Sequence, residues 1–307
     1  MPEPYPILNS LMLEQTGENR FRGPSVPSDF RPVVFGGQLM GQMIVAAAAT
    51  LPDKNVKSLH AIFARAGTVK KPVDLDVDVM HAGRALASAT VTARQGDRLL
   101  SRGLLLLDAG EPDLIRHSLP MPKVAGPAEA EARGWPDGGS EVRIVDGVDL
   151  MTTEVTGDPE LNVWVKFDHA PQSQAVHQAL LSWYTDPFLI AASMRPHPGI
   201  GQSMSHEVIS TGVITHTLSF HEPVETYSTS EHLYRALGIP RDANGLLPTA
   251  ARTRAGLGAE EVEDLGKHGP RSRQSIAKSS PEPAPARTSG PRRRRSRGGR
   301  ANTDKAA

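Results

Sequence analysis

Residues 35–50 read FGGQLMGQMIVAAAAT, a run rich in Ala, Met and Leu that is apolar on nearly every side. A helix that is apolar all round lies buried inside a protein. Four strand-like segments follow this run, at 59–64, 73–79, 86–92 and 99–107, and residues 73–79 alternate strictly as VDLDVDV. Gly-containing turns separate the later segments. The pattern predicts one buried helix wrapped by antiparallel strands.

A second block repeats this plan after a segment, residues 110–140, that is rich in Pro, Ala, Gly and Glu and is typical of a linker. Residues 142–145 and 163–167 are predicted strands, and residues 208–220 alternate again. Residues 174–194 are predicted to be helical with a break at Pro187, because the residue before a proline disfavours helical geometry. Helix and strands therefore occur twice, which indicates an internal duplication and an α+β fold class.

Composition narrows the functional classes. The chain has 307 residues and no cysteine, which excludes a disulfide scaffold, a Cys-ligated zinc site and a catalytic Cys. No apolar run approaches the roughly 20 residues of a spanning helix. The N-terminus has no signal-peptide pattern, so a cytoplasmic protein without membrane insertion is expected.

Charge is distributed unevenly. Residues 266–307 carry 12 basic and 2 acidic residues, and Tyr234 is the last aromatic residue. A segment without large apolar anchors is predicted to be a disordered basic tail. Its arginine run could bind nucleic acid, but no specific nucleic-acid partner is expected.

Three segments resemble, in order, the acyl-CoA thioesterase II family: FGGQ at 35–38, the Arg-Ala-Gly and Lys-Lys-Pro elements within 65–72, and FHEP at 220–223. The resemblance runs from about residue 8 to residue 223. It implies a double hotdog fold, in which each unit is a helix wrapped by an antiparallel sheet. It also implies hydrolysis of fatty acyl-CoA to free fatty acid and CoA, without a metal or a cofactor.

The resemblance suggests a domain organisation. It assigns residues 5–110 to an N-terminal hotdog, 111–140 to a linker, 141–265 to a C-terminal hotdog and 266–307 to the tail. The similarity ends near Val224, and the change in composition beyond it indicates a divergent or frameshifted end. The second unit is therefore expected to be incomplete.

In the family an Asp, a Thr and a Gln hold the attacking water. The Asp carries over to Asp186 in the segment Trp183-Tyr184-Thr185-Asp186. The alternative is that Asp186 only caps a helix that begins beside Pro187. The Thr falls on Val213, so Thr215, which shares a strand face with Val213, is predicted to take its place. The expected Gln has no counterpart in residues 251–269.

The segment Phe35-Gly36-Gly37-Gln38 is a predicted substrate-binding element, since backbone amides at a helix N-terminus suit an oxyanion or a phosphate. The alternative is that its glycines only permit a turn or a close approach of backbones. Acyl-CoA is the expected partner, and a homo-oligomer is the expected assembly. A competing function is a non-catalytic acyl-CoA-binding or oligomer-forming protein with the same fold.

Overall fold

The computed structural model describes residues 6–26, 32–111, 123–133, 140–167, 173–221, 223–224, 235–238 and 252–255. All of them fall within one unit, residues 1–267. The predicted basic tail at 266–307 lies outside the described residues. So does most of the segment beyond Val224 in which the family's Gln was expected.

The first part of the chain contains two helices and six strands. They are α1 (Pro6–Ser10), β1 (Glu14–Gly17), β2 (Arg20–Gly23), α2 (Gly36–Thr50), β3 (Asn55–Phe63), β4 (Val73–Ala82), β5 (Leu86–Gln95) and β6 (Arg98–Asp108). The second part contains β7 (Glu131–Arg133), β8 (Ser140–Ile144), β9 (Asn162–Phe167), α3 (Gln174–Met194), β10 (Thr215–Ser219), β11 (Arg235–Gly238) and β12 (Arg252–Ala255).

Helix α2 is the buried helix that the apolar run predicts. Its central residues, including Met40, Met43 and Ile44, are completely shielded from solvent. The helix ends at Thr50, and Leu51 immediately precedes Pro52. Because a residue before proline avoids helical geometry, the sequence itself supplies the stop.

The strands form one twelve-stranded sheet in the order β1-β2-β4-β5-β6-β3-β10-β12-β11-β9-β8-β7. Burial in strand β4 alternates as its sequence does. Val73, Leu75 and Val77 are buried, whereas Asp74 and Asp76 face outward. These two aspartates pair with arginines of β2. The two halves of the sheet join where β3 and β10 run antiparallel. The α+β architecture expected from the sequence is confirmed.

Helix α3 corrects the prediction of a break at Pro187. It is continuous from Gln174 to Met194 with Pro187 inside it, and most of its side chains are buried. Proline removes only one backbone donor, the one that would bind the carbonyl of Trp183. Burial of the rest of the helix outweighs this local loss. Asp186 therefore lies inside α3 and does not cap that helix, whose N-cap is Ser173.

Two further boundaries differ from the predictions. Alternation over 208–220 predicted a long strand, but the strand in the structure is only Thr215–Ser219. Before this region, a short helical turn occupies Gln202–Met204. The predicted linker also contributes a strand, β7, which pairs with β8. Hydrogen bonding to a neighbouring strand, which periodicity does not report, decides both boundaries.

Helices α2 and α3 cross in antiparallel orientation with their backbones unusually close. Gly37 of α2 lies beside Trp183, and Gly41, one turn later, lies beside Ala179, one turn earlier in α3. A Cβ added to Gly37 would lie 2.6 Å from the Trp183 carbonyl oxygen, the oxygen that Pro187 leaves without its usual donor. The glycines thus permit a helix–helix approach.

Among the described residues, no helix combines the length and the apolar character that crossing a bilayer requires.

Replacing Gly37 by Ala tests this crossing. The added methyl group meets backbone atoms of α3, so the helices must separate, and we expect the free energy of unfolding to fall by about 1–3 kcal/mol. Urea denaturation of the two proteins measures the difference. The control is Gly212→Ala, whose added Cβ meets no atom within 4 Å. Equal stability of Gly37→Ala and the parent protein would show that the crossing tolerates a side chain.

Candidate active site

The carboxylate of Asp186 lies at the N-terminus of α2. The Gly37 backbone N–H donates a hydrogen bond to Asp186 Oδ2 over 3.2 Å, and a Cβ on Gly36 would come within 2.7 Å of the same oxygen. Asp186 is only 6% exposed. The positive end of the α2 dipole stabilises this buried negative charge. The predicted capping role therefore occurs, but on α2 instead of on the helix that contains Asp186.

The second carboxylate oxygen of Asp186 faces a histidine. Asp186 Oδ1 is buried and has no hydrogen-bond partner among the described residues. Its nearest charged or titratable neighbour is His216 Nδ1 at 3.8 Å, too far for a direct hydrogen bond. His216 is completely buried, and its Nδ1 likewise lacks a partner in the described part of the chain.

Thr185 completes this group of side chains. Its hydroxyl donates to the carbonyl of Ser182 over 2.8 Å and lies 3.1 Å from His216 Nε2. We call Thr185, Asp186 and His216 the Asp186 cluster. Two members come from consecutive positions of α3, and the third comes from β10, which the β3–β10 pairing holds in place.

The structure does not bring Thr215 into the Asp186 cluster. Side chains of consecutive strand residues point to opposite faces of a sheet, and His216 occupies the inner face. Thr215 therefore points outward, beside the half-exposed Ile62 on β3. Its hydroxyl oxygen is shielded from solvent and has no partner among the described residues. Val213 precedes β10, which begins at Thr215, and the face of β10 that meets α3 is the one that carries His216.

Val213, at the position of the family's Thr, packs against the hydrophobic core and offers no hydroxyl. The prediction that Thr215 replaces the family's Thr therefore rested on the position of a residue that offers no hydrogen-bonding group. The sequence patterns above did not single out His216 as a site residue. Its burial could have been anticipated from its alternation with the buried Leu218.

The residues of the predicted substrate-binding segment, 35–38, have different environments in the structure. Phe35 is half-buried and packs against Trp183, with ring centroids 5.2 Å apart. Gly36 is also half-exposed, and its lack of a Cβ permits the close approach of the Asp186 carboxylate. The side-chain amide of Gln38 is fully buried, donates to Pro24 O and accepts from Val26 N. It holds the preceding loop and has no exposed polar atom for a ligand.

The described residues contain no group of three or more His, Asp or Glu side chains arranged to hold a metal ion. What the Asp186 cluster offers chemically is a carboxylate with one oxygen anchored and one available, next to an imidazole nitrogen. Such a pair can orient a water molecule and accept its proton.

The chain is similar to proteins named acyl-CoA thioesterases. Residues 26–107 match the family model of the acyl-CoA thioesterase N-terminal domain. The chain is 25% identical to acyl-CoA thioesterase 2 of Haemophilus influenzae, over 71% of this chain and 82% of that protein. It is 34% identical to mouse acyl-coenzyme A thioesterase 8 over 126 residues, which are 40% of this chain and 39% of that protein.

Solved structures show the same fold. An acyl-CoA thioesterase II from Mycobacterium marinum superposes with a TM-score of 0.61 at 22% identity, over 76% of this chain and 84% of that one. The tesB protein of Mycobacterium avium subspecies paratuberculosis gives a TM-score of 0.60 at 22% identity, over 76% and 90% of the respective chains. The chain therefore has the double hotdog fold and resembles the acyl-CoA thioesterase II family, and its residues 26–107 match the family's N-terminal domain.

Proposed function

We propose that the protein is an acyl-CoA thioesterase that hydrolyses fatty acyl-CoA to free fatty acid and CoA. The observation that carries this proposal is the buried Asp186 carboxylate, with one oxygen bound to the N-terminus of α2 and the other without a protein partner among the described residues. A carboxylate held in this way is suited to act as a general base. The family match over residues 26–107 supports acyl-CoA as the substrate class.

In the proposed mechanism Asp186 takes a proton from a water molecule as the water oxygen forms a bond to the thioester carbon. The electron pair of the C=O bond moves to the carbonyl oxygen, giving a tetrahedral intermediate. When this intermediate collapses, the C–S bond breaks, and the CoA thiolate takes the proton from Asp186. The products are a carboxylic acid and CoA-SH, and Asp186 returns to its starting state.

The N-terminus of α2 supports the developing oxyanion in this proposal. The first N–H groups of a helix have no intrahelical acceptor and suit an anion. The Gly37 N–H is already bound to Asp186. This proposal therefore assigns the oxyanion to the backbone N–H of the half-exposed Gly36. Phe35 and Trp183 provide an adjacent aromatic surface for the apolar acyl chain.

We propose further that the protein forms a homo-oligomer. We also propose that it lies in the cytoplasm and takes part in fatty acid metabolism. Its assembly surface is the outer face of β3, β5 and β6, where four large apolar side chains are about 40–50% exposed: Ile62, Leu86, Leu104 and Leu106. The strand registers place all four on one side of the sheet. Ile62 and Leu86 lie diagonally next to Leu104 and Leu106, and exposed apolar side chains grouped in this way favour burial against a second copy.

Asp186→Asn tests the general base. Asn can still accept the Gly37 hydrogen bond, so the fold should be retained, but it cannot take a proton from water. We expect kcat for decanoyl-CoA and palmitoyl-CoA to fall at least tenfold, with an unchanged melting temperature. Release of CoA, followed with a thiol reagent, measures kcat.

Thr215→Val is the matched control for this experiment, because Thr215 lies outside the Asp186 cluster, and we expect its kcat to stay within about twofold of the parent value. Full activity of Asp186→Asn would restrict Asp186 to capping α2, since Asn caps nearly as well as Asp. A parent protein that binds acyl-CoA without releasing CoA would establish the non-catalytic alternative, which the missing hydroxyl at Val213 favours.

The assembly surface is tested by the double substitution Leu104→Lys, Leu106→Lys. Two charges on the outer face of β6 should oppose burial and shift the sedimentation coefficient to that of a monomer. The control is Met12→Lys, at an exposed apolar residue outside the sheet. Unchanged assembly of the double variant would exclude this face as the contact, and a monomeric parent protein would exclude the oligomer.

A further inference from the structure

The hydrogen bonds of Thr185 determine which nitrogen of His216 carries a proton. A threonine hydroxyl has a single proton, and Thr185 donates it to Ser182 O over 2.8 Å. Toward His216 Nε2, at 3.1 Å, Thr185 Oγ1 is therefore an acceptor. Nε2 must then carry the hydrogen, and in a neutral imidazole Nδ1 is left as a bare acceptor.

This assignment leaves two acceptors side by side. His216 Nδ1 and Asp186 Oδ1 are 3.8 Å apart, and both side chains are more than nine-tenths buried. Neither atom has a hydrogen-bond partner among the described residues. Buried polar atoms usually have a hydrogen-bond partner, and one donor with two protons satisfies both of these atoms when the imidazole is neutral. A water oxygen about 2.8–3.0 Å from each atom spans this separation.

We propose that His216 Nδ1 and Asp186 Oδ1 together hold the nucleophilic water, each accepting one of its two protons. This inference rests on the proposed thioesterase function and extends its site. His216 is then a catalytic residue that touches the reacting water. Thr185 is a positioning residue that acts through His216 by fixing its tautomer.

The arrangement has a direct chemical consequence. With both protons donated to the protein, the lone pairs of the water oxygen point away from the two acceptors and toward the substrate side. As the new C–O bond forms, one proton passes to Asp186. The other stays on the water oxygen, held by His216 Nδ1, and becomes the proton of the product carboxylic acid. No further reactant is needed.

His216 supplies the hydrogen-bonding group that Val213, at the position of the family's Thr, lacks. Of the three water-holding groups that the family resemblance implies, only the Asp is present at its expected place in the described residues. In this chain the inner face of β10 supplies an imidazole acceptor beside the same carboxylate. Thr185, adjacent to Asp186 on α3, fixes that imidazole, so the water retains two protein ligands.

The experiment compares Thr185→Val, Thr185→Ser and His216→Gln with the parent protein. Valine has the shape of threonine but cannot accept from Nε2–H, whereas serine keeps the hydroxyl. We expect Thr185→Val and His216→Gln to lower kcat by about 10–100-fold with KM within about twofold, because the water loses its orientation. Thr185→Ser should restore kcat to within about threefold of the parent value. Melting temperatures identify any variant that is only misfolded.

Nitrogen-15 NMR of histidine-labelled protein gives a readout independent of turnover, with the His216 signals assigned by their loss in His216→Gln. We expect an unprotonated Nδ1 in the parent protein and a protonated Nδ1 in Thr185→Val. A protonated Nδ1 in the parent protein would overturn the inference.

Full kcat in His216→Gln, with an active parent protein, would overturn the inference and leave the thioesterase function standing. A parent protein without turnover would overturn the function, and the NMR result would then decide the state of His216 by itself.

Discussion

The close antiparallel crossing of α2 and α3 is the constraint on which the rest of the site depends. A Cβ added at Gly37 would lie 2.6 Å from the Trp183 carbonyl oxygen, and one added at Gly41 would lie 3.3 Å from the Ala179 carbonyl oxygen, so the two helices approach closely at both glycines. This contact brings the first turn of α2 against the residues of α3 around Trp183, and so against Asp186. A wider crossing would separate the Gly37 N–H from Asp186 Oδ2 and would leave a buried carboxylate without its donor.

The crossing also explains how one carboxylate can be both buried and reactive. Burial of a charge is costly unless hydrogen bonds and favourable dipoles compensate, and here Oδ2 receives both from α2. Oδ1 has no partner among the described residues. It shares this state with His216 Nδ1, 3.8 Å away, and these two atoms are the adjacent pair on which the proposed water site rests.

The continuous sheet determines where His216 lies relative to α3. The β3–β10 pairing joins the strands of the first part of the chain to those of the second part and fixes the inner face of β10. Gly37 comes from the first part, whereas Asp186 and His216 come from the second. The candidate site therefore needs residues from both parts of the chain. Strand β7 lies at the far edge of the sheet, away from this junction.

The sequence by itself determined the elements whose burial is periodic or complete. The apolar run 35–50 specifies α2, and the alternation of residues 73–79 specifies β4 with its inward valines and leucine. The resemblance to thioesterases selected Asp186 and the segment from Phe35 to Gln38. These inferences needed only local patterns and aligned motifs, because burial of an element is recorded in its own residues.

Tertiary structure alone decided how those elements meet. Local preference predicted a break at Pro187, and the family resemblance led to Thr215 as a site residue. The burial of α3 instead keeps the helix continuous, and packing against α3 selects the face of β10 that carries His216. His216 acquires its role only because Thr185, 31 residues earlier, lies beside its Nε2. Periodicity defines which residues share a face, but only the packing of one element against another defines which face becomes the site.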